Sequence, residues 1–163
     1  MKTPVLFSLS AVAIADQILA LSSLRATLTK VKNDVPRVLS RDRLPAIFEL
    51  TKTAFSSLTL QLLPFVTDAS VNDETATEID DSGNMLLTLS LPLPDDNSET
   101  EQGVVRRLLE HSLTMKVLSM AFSDVDNESA LRFSRLANES FDAIRALLSS
   151  TDPVPARFPL CWL

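Results

Sequence analysis

The chain has no tyrosine, one cysteine, one histidine and two glycines among its 163 residues. Each scarcity excludes something. With Cys161 alone, no disulfide closes within the chain and no cysteine-built metal site forms in one copy. With His111 alone, metal centres that need paired histidines are excluded as well. Gly83 and Gly103 are too few for a β-rich fold with many tight turns, and no glycine-rich phosphate loop is present. Long apolar runs are also missing. The N-terminal apolar stretch meets Asp16 and Gln17 well short of the length a bilayer requires, so no membrane partner is expected.

Positive charge is absent from a long stretch. Between Thr53 and Val105 there is no Lys or Arg, while Asp68, Asp73, Glu74, Glu78, Asp80, Asp81, Asp95, Asp96, Glu99 and Glu101 accumulate. The preceding segment is the reverse, with Arg25, Lys30, Lys32, Arg37, Arg41, Arg43 and Lys52 against Asp34, Asp42 and Glu49. Two readings fit this asymmetry: opposite faces that meet copies or partners, or a solvated acidic loop beside a basic helix. The net charge of −6 and the few aromatics disfavour general nucleic-acid binding, which needs basic surface and stacking platforms.

Enough apolar residues remain, at 45%, to build one domain with a real core. We expect a mainly α fold: a single helical domain over residues 1–150 with a β-hairpin near 71–94, followed by an extended proline-rich arm over 151–163. The opening residues resemble a secretory signal, with Lys2, an apolar stretch and Ala13-Ile14-Ala15 as a cleavage site. The stretch is short and broken by Ser8 and Ser10. The preferred reading is an extended piece through Phe7 and a helix from about Ser10, with Val12, Ala15, Ile18, Leu19, Leu21 and Leu24 as its apolar side.

A basic connection containing Pro36 leads to a helix over about Asp42–Leu63. Asp42 is its expected N-cap, Pro45 lies in its first turn and Pro64 stops it. Leu44, Ile47, Phe48, Phe55, Leu58 and Leu62 form its buried side. Thr75–Ile79 and Met85–Leu91 flank Asp80-Asp81-Ser82-Gly83-Asn84, a five-residue turn with glycine, which predicts a hairpin. Leu87, Leu89 and Leu91 are expected to face the core, Thr88 and Ser90 water, and Pro92 and Pro94 to end the strand.

Ser98-Glu99-Thr100-Glu101 is a capping box. The helix it opens is expected to reach Phe122 and to bury Val105, Leu108, Leu109, Met115, Leu118 and Phe122. A last helix to about Ser149 is expected to bury Ala130, Phe133, Ala137, Ser140, Phe141, Ile144 and Leu148. So short a connection makes the two antiparallel.

No catalytic constellation is evident, and neither enzyme activity nor a cofactor is expected. Asp80-Asp81 and Asp95-Asp96 sit where Asp suits turns and helix approaches, and no calcium-loop pattern surrounds them. His111 lies mid-helix beside residues that cannot face it, and no nucleophile motif accompanies any Ser. The strongest candidate for a partner-binding element is the end of the chain. Pro153, Pro155 and Pro159 hold it out of a helix, yet it carries Phe158, Leu160, Trp162 and Leu163. A pre-extended segment loses little entropy on docking, and aromatic side chains are frequent anchors. Folding back over its own helices is the alternative.

The order of these elements resembles the head–tail connector, or neck adaptor, proteins of tailed bacteriophages, in particular small structural proteins of phages infecting gut anaerobes. A helix ending Leu62-Leu63-Pro64-Phe65-Val66, a hairpin, a capped helix pair and the Pro-Phe-Pro-aromatic tail carry that likeness over about residues 42–163. The resemblance implies a homo-oligomeric ring in the virion neck, assembled in the host cytoplasm between portal and tail proteins, with DNA only as the contents of the channel. It further implies Phe158, Leu160, Trp162 and Leu163 as docking anchors, and Asp80, Asp81 and Asn84 as a tip directed at a neighbour or the channel.

Overall fold

The computed structural model describes residues 2–28, 39–65, 76–79, 85–94 and 99–149. They form a mainly helical fold with an inserted β-hairpin, in the order β1 (Lys2–Ser10), α1 (Ala11–Leu28), α2 (Leu44–Leu62), β2 (Ala76–Ile79), β3 (Met85–Pro94), α3 (Glu99–Phe122) and α4 (Asn127–Ser149). The extended arm expected over 151–163 lies outside the described residues, as does the connection over 29–38.

The extended N-terminal piece is a full strand. β1 pairs antiparallel with β3 from Lys2↔Pro94 to Ser10↔Leu86, and β2 pairs with the other side of β3 from Ala76↔Thr88 to Ile79↔Met85. The sheet order is β1-β3-β2, so the hairpin gains a third strand from the far end of the chain. Pro92 does not stop the strand, which runs on to end at Pro94. Pro4 stands opposite Pro92; neither has an N–H, so theirs is a non-hydrogen-bonded pair, and the flanking pairs Thr3↔Leu93 and Val5↔Leu91 carry the ladder bonds. The same alternation turns Pro94 away from β1, toward an edge that β2 covers only up to Thr88.

One face of this sheet packs on the helices. Phe7 and Leu9 of β1 are buried with Leu87, Leu89, Leu91 and Leu93 of β3, following the period of two that a half-buried strand requires. Thr88 and Ser90, expected in water, are also buried. They lie in the middle strand opposite Ser8 and Leu6 of β1, where small side chains are screened by their neighbours.

Chain direction changes sharply from β1 into α1, and the Ala13 N–H donates to Ser10 Oγ at 3.3 Å as a helix-start cap. The buried side of α1 is Ala11, Ile14, Ala15, Ile18 and Ser22. Val12 and Leu24, placed on that side by sequence, are exposed, at 36% and 55%. The strand upstream sets which side of the helix meets the core.

α2 opens with a 3-10 turn over Arg41–Arg43, so Asp42 lies inside that turn rather than capping the helix, and no side chain caps its start. Pro45 sits in the first turn, where a missing N–H costs nothing. Ile47, Thr51, Ala54, Phe55, Leu58 and Leu62 are buried. A second 3-10 turn over Leu63–Phe65 follows, and Arg145 of α4 lies over the Phe65 ring at 5.7 Å.

α3 is the central element, packed against α4, α2 and α1. This explains why its burial exceeds one stripe. Besides Val105, Leu109, Met115, Leu118 and Phe122, it buries Ser112, Leu113, Thr114 and Val117. A helix enclosed on several sides loses the amphipathic signature that sequence reading relies on. α4 keeps that signature and buries Ala130, Ala137, Ser140, Phe141, Ile144, Leu147 and Leu148. Ser98 of the capping box lies outside the described residues, while its partner Glu101 is buried in the first turn of α3.

Candidate functional site

The residues assigned to partner binding from sequence, Phe158, Leu160, Trp162 and Leu163 in the arm and Asp80, Asp81 and Asn84 in the hairpin turn, lie outside the described residues. The Ile79↔Met85 pairing fixes only where that turn leaves and rejoins the sheet.

Three polar groupings stand within the described fold. The first joins α1 to the α3–α4 turn. Asp126 caps α4: its Oδ1 accepts from the Ser129 N–H at 3.0 Å and its Oδ2 from the Ser129 hydroxyl at 2.8 Å. Arg25 reaches across from α1, forms an ion pair through Nη2 with Asp126 Oδ2, and donates from Nε to Ser129 Oγ at 3.1 Å. The guanidinium lies 4.6 Å from the Phe122 ring centroid, and Phe122 in turn packs against Phe133 at 6.0 Å. One planar cation thus holds the helix cap, a hydroxyl and an aromatic face together.

The second grouping contains the histidine. His111 Nδ1 is 2.7 Å from Ser140 Oγ, across the α3–α4 interface. Ser140 also reaches the Leu136 carbonyl at 3.1 Å, and that carbonyl can only accept. The serine has one proton for these two contacts, and the tautomer of the ring sets which of them it serves. Ser140 is 3% exposed. Burial pushes the His111 pKa below its ordinary value of 6.5, favouring the neutral ring.

The third is a shallow cleft where α2, α3 and α4 meet. Leu58, Leu113, Ala137 and Phe141 form its floor, and Ser57, Gln61, Lys116 and Asn138 its polar rim. The enclosed space is about 20 Å³, enough for one water or a carboxylate oxygen. Ser112, at its base, donates to the Ala137 carbonyl at 3.2 Å. Sequence reading passes over this cleft, because its rim draws single residues from three helices.

Among the described residues no cluster of three or more His, Cys, Asp or Glu could hold a metal ion, and no helix is long and apolar enough to cross a membrane. No protein-family model, curated protein or solved structure matches the chain.

Proposed function

We propose that this chain is a structural subunit that works by incorporation into a larger assembly, and specifically a head–tail connector subunit forming a ring between the portal and tail of a tailed phage. The observation that carries the reading is the arm sequence. Residues 151–163 carry Pro153, Pro155 and Pro159, a composition that opposes a helix, together with Phe158, Leu160, Trp162 and Leu163 as apolar anchors. Opposed basic and acidic stretches supply lateral faces. The polar chemistry of the scaffold supports the same view. Arg25–Asp126 and His111–Ser140 hold helices to one another.

A secreted binding module released by cleavage after Ala15 is the competing reading. Such cleavage would remove the whole of β1, together with Phe7, Leu9, Ala11, Ile14 and Ala15 of the core. The connector reading requires no such loss. Electron microscopy of the purified full chain, alone and mixed with portal and tail components, tests it. Closed rings that dock on either component are expected, and particles of single-subunit size that recruit neither would overturn it.

A further inference from the structure

We infer that the α2–α3–α4 cleft is an interface socket in which Lys116 receives a carboxylate from the acidic stretch of a second copy; this rests on the assembly reading above. Lys116 is half-buried on the central helix. Its helical neighbours three and four residues away are Ser112, Leu113, Ser119 and Met120, none of them acidic. Among the described residues no carboxylate pairs with the Lys116 ammonium, whereas Arg25, Lys52 and Arg135 each hold one. A half-buried ammonium is less screened than one on open surface, so an incoming anion meets it more strongly.

The rim suits a carboxylate in particular. Gln61 and Asn138 add side-chain amide donors to the three N–H bonds of the ammonium, and Ser57 adds a hydroxyl, so one planar two-oxygen group can be met from several directions. The floor is buried, with Leu113 at 0% and Phe141 at 8% exposure, so an occupant meets chiefly the polar rim. The occupant is chosen by charge complementarity. Between residues 53 and 105 the chain carries carboxylates from Asp68 to Glu101 and no lysine or arginine, so a neighbouring copy offers this socket an anion with no competing cation beside it. The contact is heterologous, one face of a subunit meeting a different face of the next, which is the geometry that closes rings.

Carbodiimide coupling of the full chain tests this, because it joins amines to carboxylates only where they touch. Covalent oligomers are expected, with peptide mapping placing an isopeptide bond between Lys116 and an acid in 68–101 of another copy, and Lys116→Met should abolish that bond while leaving the circular dichroism spectrum unchanged. A link from Lys116 to an acid in its own chain overturns the second-copy occupant. Covalent oligomers joined elsewhere, with Lys116 uncoupled, overturn the socket and leave the assembly reading standing. A chain that stays monomeric by mass photometry and yields no covalent oligomer overturns both.

Discussion

Arg25 of α1 and Asp126 at the start of α4 form an ion pair between residues 101 positions apart in the chain. The contact closes the bundle, because the carboxylate that caps α4 is also the one that receives the guanidinium from α1. Loss of Asp126 therefore removes both a helix cap and a carboxylate that pairs with Arg25, whose side chain is only 19% exposed.

Asp126→Ala is expected to destabilise the fold by about 1–3 kcal/mol, the sum of a lost cap and a lost charge-assisted bond in a partly exposed setting. Urea denaturation of wild type and variant measures it. Arg25→Lys should recover little, because an ammonium cannot span Asp126, Ser129 and the Phe122 face as the planar fork does.

His111 should make the fold acid-sensitive. Its pKa is lowered by burial, so the unfolded chain takes up the proton first as the pH falls. The stability the neutral ring contributes is present above pH 6.5 and is lost as the pH drops through the lowered folded value. His111→Gln should flatten that part of the stability-versus-pH curve, measured by thermal melts in buffers between neutrality and mild acid. An unchanged slope would show that the ring is not desolvated.

The N-terminal strand should prove indispensable to the core. Phe7 is 2% exposed, and Phe7→Ala is expected to cost about 3–5 kcal/mol. A chain lacking residues 1–15 should fail to fold cooperatively, because β3 loses its long partner and the sheet falls to a short hairpin. Cooperative melting of that shortened chain would instead revive the cleaved-signal reading.

What sequence could reveal follows from how local each signal was. The α3–α4 hairpin was legible because cap, short turn and apolar spacing all lie within neighbouring residues, and Phe122 and Ser149 end the helices where expected. The hairpin partners Ile79 and Met85 were legible for the same reason. The third strand was not: Phe7 meets Leu89 from far along the chain, and Pro92 read locally as a stop although its lost N–H falls where no ladder bond is needed. On α1 the spacing placed Ala15, Ile18, Leu19 and Leu21 correctly at the core, and failed at Val12 and Leu24, which are apolar yet exposed. Of the candidate site, the arm and the acidic turn lie outside the described residues. Lys116 carried no local signal, since its setting exists only once three helices converge.

The central claim is that the chain is built into an assembly by its arm. Mass photometry of the full chain beside a chain truncated after Ala156, each checked by circular dichroism, tests it most directly. The account predicts oligomers from the full chain, and from the truncated chain a monomer with undiminished helical signal. A full chain that stays monomeric, or a truncated chain that loses its helices, would contradict it, the second result showing that the arm belongs to the core.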